Sequence, residues 1–421
     1  MKKYIKIISI SCAVLMFFSG CQTNVDEAQT TQATEATETS YTPKEIKGGL
    51  ATIPDISIEQ LPLPDNDALK FISNMKIGWN LGNTFDATRD GDYNEATEMD
   101  IEKSWNGFET TIEMILDIKN AGFNTLRLPV SWHNHLVDDN YTISEQWLNR
   151  VNEVVDYAID NGMYVILNTH HDDELFYPSS EKLEISEKYI ESVWTQLAKR
   201  FADYDNHLIF EGMNEPRLKG TNHEWNFVAS NPSCQDSADA LNKLNQIFVD
   251  TVRAGGGKNT DRYLMIPAYA ASPESALSDL FILPTDIADN KLIVSVHAYR
   301  PYNFALQSFT EKGSVNKFDI DDKGHTGAIT SFMDSLYSKY TANGIPVVIG
   351  EFGARVKNDN LQDRVNCLAY YIACAKSRGF TCCIWDNNAF SGTGENFGLY
   401  DRSAKKWGFP DVILAMMEYA E

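Results

Sequence analysis

Eight short apolar runs punctuate this chain, and nearly all of them stop at polar or aromatic residues before a loop and an amphipathic helix. The runs are Ile77–Leu81, Thr125–Val130, Tyr164–Asn168, Leu208–Gly212, Tyr263–Pro267, Leu292–Val296, Pro346–Gly350 and Phe380–Trp385. Runs this continuous belong to strands covered on both faces, which means a parallel sheet with helical crossovers. Glu145–Asn161 shows the intervening pattern. Trp147, Leu148, Val151, Val154, Val155, Ala158 and Ile159 recur at helical spacing, and Gly162 follows as the cap. Eight such units predict an α/β fold, a (β/α)8 TIM barrel in one domain spanning 49–421 with elongated βα loops. A doubly wound open sheet is the alternative. No linker and no internal repeat interrupts the span.

A barrel makes a definite demand: its chemistry gathers where the C-terminal ends of the strands open on one face. Polar and aromatic residues collect at those ends. Asn83 and Asp86 follow the first run, Arg127 lies in the second, and His170 and His171 follow the third. Asn214 and Glu215 follow the fourth, His297 and Tyr299 the sixth, Glu351 the seventh, and Trp385 ends the eighth. The fifth offers only Tyr269. A lone glutamate at a strand end reads as a solvated terminus. Glu215 and Glu351 together, aimed into one cleft, read as the carboxyl pair of glycoside hydrolysis. In that reading Arg127 keeps Glu351 ionised, and Glu215 must carry a proton near neutral pH.

The motifs GWNLGNTFDA (78–87), LRLPVSW (126–132), VILNTHHD (165–172), EGMNEPR (211–217), VSVHAY (294–299), VIGEFG (348–353) and CIWDNN (383–388) resemble, in order, those of glycoside hydrolase family 5. The likeness is strongest to its bacterial endo-β-1,4-glucanase branch and covers roughly residues 70–410. It implies a retaining double displacement, with Glu215 as acid/base and Glu351 as nucleophile. By the same resemblance Asn214 binds the sugar 2-OH, and Arg127 and Tyr299 position the nucleophile. His297 sets the protonation of the carboxyl pair, and His170 and His171 line the −1 region. Trp385 gives the −1 stacking platform, and Asn83 and Asp86 contact sugar. Trp105 and Trp132 extend the cleft or pack between loop and barrel. The expected partner is a β-1,4-linked glucan, with xyloglucan, mixed-linkage β-glucan or mannan as alternatives chosen partly by the loop 300–326.

The run His170-His171-Asp172-Asp173-Glu174 has a rival reading as a metal site. Neighbouring residues at a strand end point in different directions, so no catalytic metal and no cofactor is expected, and a structural calcium on the acidic loops stays open. Acidic residues number 59 against 36 basic, a net charge of −23. That balance excludes nucleic acid, which is held through Lys and Arg. Lys2, Lys3 and Lys6 lead into an apolar stretch from Ile7 to Phe18 that ends at Ser19-Gly20-Cys21. This is an export signal over 1–20, too short to span a bilayer. Cys21 resembles the acylated cysteine of bacterial lipoproteins, an ordinary secretory signal being the alternative. Residues 21–48, rich in Thr, Gln and Glu, read as a disordered tether. The expectation is an exported cell-surface lipoprotein, monomeric, touching membrane only through its anchor. Cys234, Cys367, Cys374, Cys382 and Cys383 read as buried small hydrophobes without a disulfide framework. From another class comes a glycan-binding lipoprotein that captures polysaccharide without cutting it.

Overall fold

The computed structural model describes residues 41–421; the export signal, Cys21 and the tether as far as residue 40 lie outside them. Eight strands carry the eight apolar runs: β1 (Ile77–Leu81), β2 (Thr125–Leu128), β3 (Tyr164–Asn168), β4 (Leu208–Glu211), β5 (Leu264–Pro267), β6 (Leu292–His297), β7 (Val347–Phe352) and β8 (Thr381–Asp386). They pair in chain order, all parallel, and β8 closes on β1. The result is the (β/α)8 barrel. Around it stand α2 (Ile112–Asn120), α3 (Glu145–Ile159), α4 (Leu183–Arg200), α5 (Pro232–Ala254), the short α6 (Pro273–Ala276) and α7 (Tyr302–Ala305), α8 (Lys323–Lys339), α9 (Leu361–Lys376) and α10 (Pro410–Ala420). In α3 every apolar residue of the expected stripe except Ile159 is buried, and Gly162 ends the turn at φ +73, a conformation open to glycine without strain.

One helix precedes the barrel. α1 (Asp67–Asn74) is capped by Asn66, whose Oδ1 accepts from Leu69 N at 2.8 Å. It lays Ala68, Leu69 and Ile72 against Ile166, Ile209, Met265, Ile293, Val348 and Cys383, a fully buried layer from the inner face of the strands. The other strand face, with Leu126, Val165, Phe210 and Ile266, packs on the outer helices. Side chains alternate between these faces along each strand, so both are apolar and the runs read as continuous. α1 therefore seals the floor of the barrel.

The expected tether boundary at residue 48 moves. From Tyr41 the chain lies on the barrel wall: Tyr41 Oη and Lys44 Nζ bond the Asp117 carboxylate of α2 at 2.9 and 2.6 Å. Asp411 of α10 accepts from the backbone N–H groups of Gly49, Leu50 and Ala51. Polar composition marked this stretch as unable to build a core, yet hydrogen-bonding partners far along the chain hold it. No helix among the described residues is long and apolar enough to cross a membrane.

Candidate active site

Above the apolar floor the inner face of the barrel turns polar. Asn80 of β1, Arg127 of β2, Asn168 of β3, Glu211 of β4 and Ser295 of β6 are all fully buried. They stand at neighbouring registers, Asn80 opposite Arg127 and Asn168 opposite Glu211. Arg127 is the hub. Its Nε bonds Glu211 Oε2 at 2.9 Å and Nη2 meets the same oxygen at 2.7 Å. Nη1 reaches Asn80 Oδ1 at 2.9 Å and Glu351 Oε1 at 2.7 Å, and Nη2 also reaches Asn214 Oδ1 at 2.8 Å. A guanidinium only donates, so Asn214 must offer it oxygen and keep its amide N–H groups for the cleft. Gly350 makes the crowding possible: a Cβ there would lie 3.0 Å from the His297 ring.

At the mouth the two strand-end glutamates meet. Carboxylate oxygens of Glu215 and Glu351 and a ring nitrogen of His297 lie within 4.8 Å of one another. A register shift between Val296 and His297 sets His297 opposite Glu351, the kind of re-aiming that bulges produce beside active sites. His297 Nδ1 contacts Glu215 Oε1 at 2.9 Å, and Tyr299 Oη donates to Glu351 Oε2 at 2.9 Å. Burial by itself would raise the Glu351 pKa. The His297 and Arg127 charges and the Tyr299 hydrogen bond outweigh it and hold the carboxyl below the usual carboxylate range. Burial disfavours a charged His297 ring, but Glu351 and Glu215 lift its pKa above the ordinary imidazole value, with Arg127 opposing. Burial and Glu351 keep the Tyr299 phenol protonated.

The match to known proteins agrees with this geometry. The family described as "Cellulase (glycosyl hydrolase family 5)" matches residues 89–391. "Endoglucanase 1" of Ruminococcus albus is 45% identical over 354 residues, 84% of this chain and 82% of that protein. The chain belongs to glycoside hydrolase family 5. Among solved structures, a family 5 lichenase from Caldicellulosiruptor sp. in complex with cellotetraose superposes with a TM-score of 0.86 at 55% identity, covering 88% of this chain and 100% of that one. A broad-specificity endoglucanase from Ruminococcus champanellensis with bound cellotriose gives 0.77 at 43%, covering 85% and 100%.

This family 5 cleft, about 940 Å³, is lined by Asn83, His170, His171, Asn214, Glu215, His297, Tyr299, Glu351 and Trp385. Trp385 lies parallel to His170 with centroids 6.0 Å apart, and Gly82 leaves the indole room, since a Cβ there would come within 2.7 Å of it. Burial and the His171 and Arg127 charges hold His170 neutral, well below the ordinary imidazole pKa. Trp105 is exposed on the wall of the cleft.

Two expected sugar contacts are not at the surface. Trp132 is fully buried and donates its Nε1–H to Asn168 O at 3.0 Å, so it is packing between loop and barrel. Asp86 is also fully buried; its carboxylate accepts from the backbone N–H groups of Asn83 and Thr84 at 3.0 and 2.6 Å. It shapes the first loop, holding Asn83, which lines the cleft, at φ +55. The acidic residues after His171 turn away as well. Asp172 accepts from Trp132 N and Tyr189 Oη, and Asp173 pairs with Arg217 at 2.8 Å.

Sequence reading missed Glu211, Asn80, Asn168 and Ser295, because each is a single polar residue within an apolar run. It also missed Trp225 and Glu395 on loops around the cleft. Trp225 carries the Arg217 guanidinium 4.3 Å above its ring, and the EGMNEPR motif gave a signal for that arginine only.

Proposed function

We propose that this family 5 chain is a retaining endo-β-glucanase that cuts internal β-1,4-glucosidic bonds, with Glu215 as acid/base and Glu351 as nucleophile. One observation carries the assignment: carboxylate oxygens of the two residues within 4.8 Å. Retaining glycosidases set their carboxyls ~5–5.5 Å apart, and inverting ones ~6.5–9.5 Å to admit a water. In the first step a Glu351 oxygen bonds the anomeric carbon, the glycosidic C–O bond breaks, and Glu215 gives its proton to the leaving oxygen. In the second, water attacks the anomeric carbon, Glu215 takes its proton, and the Glu351 ester bond breaks. Tyr299 and Arg127 keep Glu351 ionised for attack, Asn214 offers its amide to the sugar 2-OH, and Trp385 supports the sugar face.

Glu215→Gln and Glu351→Gln should each lower the rate on soluble β-glucan by at least ~10²–10⁴-fold. A wild-type rate in either would refute the mechanism. An aryl glucoside with an acidic phenol separates the two roles, because that leaving group needs no proton. It restores bond cleavage by the Glu215 variant and leaves the Glu351 variant inert.

A wider diet has its own support. A second groove of about 1110 Å³ joins the cleft at Trp105, His171 and Arg217 and runs over the loops after β1, β2 and β3. It has the space for a side branch of the polymer. Comparing rates on xyloglucan, mixed-linkage β-glucan, carboxymethylcellulose and mannan decides between linear and branched substrates. For location we propose a surface lipoprotein anchored at Cys21, on the strength of the basic, apolar and small-residue order before it. Cys21→Ala should move activity from the membrane fraction to the medium; retention in the membrane would reject the anchor.

A further inference from the structure

We infer that Glu211 is a positioning residue for the reaction, holding Arg127 so that Glu351 receives only one of its N–H bonds. This rests on Glu351 being the nucleophile. Arg127 has five N–H groups, and each has a partner: Nε donates to Glu211, the two on Nη1 to Asn80 and Glu351, and the two on Nη2 face Asn214 Oδ1 and, at 3.3 Å, His297 Nε2, while Glu211 Oε2 also lies 2.7 Å from Nη2 as an ion pair. Glu211 is itself fixed from both sides, by Ser295 Oγ at 2.5 Å and Asn168 Nδ2 at 3.1 Å. It lies four residues before Glu215 on the same strand end.

Without that inner carboxylate the guanidinium's unshared charge and its preference for two-pronged carboxylate pairing would turn toward Glu351. Both effects make a carboxylate a poorer nucleophile. Two buried carboxylates on one guanidinium leave the cluster with a net negative charge, which Glu351 can direct at the anomeric carbon.

The other groups around Glu351 make no hydrogen bond to the Glu211 side chain, whose partners are Arg127, Asn168 and Ser295. Those other groups are His297 and Tyr299 from the β6 side, Glu215 after β4, and Glu395 after β8. His170, after β3, and Cys383 of β8 also face Arg127, and both are neutral.

Glu211→Gln keeps an oxygen for Arg127 and a donor for Ser295 while removing the charge. An adjacent cation lowers a carboxyl pKa by ~1–3 units. The acid limb of kcat/KM should therefore move about one unit lower, with kcat down ~10–100-fold. A residue that only stabilises the fold would lower Tm and leave the limb unmoved, and that result would overturn the proposal. Glu211→Asp keeps the charge and shortens the reach, so kcat should fall about tenfold with the limb unchanged. If Glu211→Gln does not fold, Glu211→Asp decides, and a wild-type kcat in it rejects the idea. Activity lost in Glu351→Gln but normal in the Glu211 variants would leave the nucleophile assignment standing and sink this inference alone.

Discussion

Arg127 donates to Glu211, Asn80, Glu351 and Asn214, and the same buried contacts that order the site give it a pH signature. The Glu351 pKa is depressed, so its contribution to stability is complete above the ordinary glutamate value, ~4.3, and is lost as pH falls through its lower folded value. His297 runs the other way. Its raised pKa gives stability complete below ~6.5, lost as pH rises through the folded value. Urea midpoints across pH 3 to 9 should show both flanks, and Glu351→Gln should flatten the acid one. The tryptophans divide by burial. Trp105→Ala should raise KM and leave Tm unchanged, whereas Trp132→Ala should cost ~3–5 kcal/mol of stability. Initial rates and thermal melts of the two variants check this. Glu215 was singled out by the polar Asn214-Glu215-Pro216 break after its strand, and Glu351 by standing alone as a carboxylate in VIGEFG. Glu211 was not, because in LIFEGMNEP it reads as the ordinary polar end of a strand. Only the barrel's inner register shows it beneath Arg127.

At the scale of elements, the strands and α3 were readable from period and caps, since local pattern and tertiary placement agree there. The segment from Tyr41 to Ala51 was not, because its partners stand far away on α2 and α10. Asp117 gathers Tyr41, Lys44 and Tyr400, the last from the strand β9 (Tyr400–Asp401), which pairs with β10 (Lys406–Trp407). The segment thus ties a wall helix to the hairpin after β8. Starting the chain at residue 52 should lower Tm by several degrees and leave kcat on soluble β-glucan intact, since none of these contacts lines the cleft. A parallel loss in Asp117→Ala, measured by calorimetry, identifies the clasp as the cause. An unchanged melt in both would show that the segment contributes nothing.

For the whole molecule, eight apolar runs became eight strands because both faces of each are covered, by helices outside and by the floor layer or polar hub inside. The five cysteines between residues 41 and 421 are free and buried, and burial raises the pKa of the thiols of Cys367, Cys374, Cys382 and Cys383. A thiol-reactive dye should label none of these five in the native state, and reductant should not shift Tm; labelling before unfolding would contradict the packing. The sealed floor has a kinetic consequence. With α1 and the layer of Ile166, Ile209 and Val348 closing the base, water can reach the glycosyl-enzyme only through the mouth, past the place the leaving chain has just vacated. Water and a second sugar therefore compete for one doorway, and concentrated oligosaccharide should be joined into longer chains as well as cut.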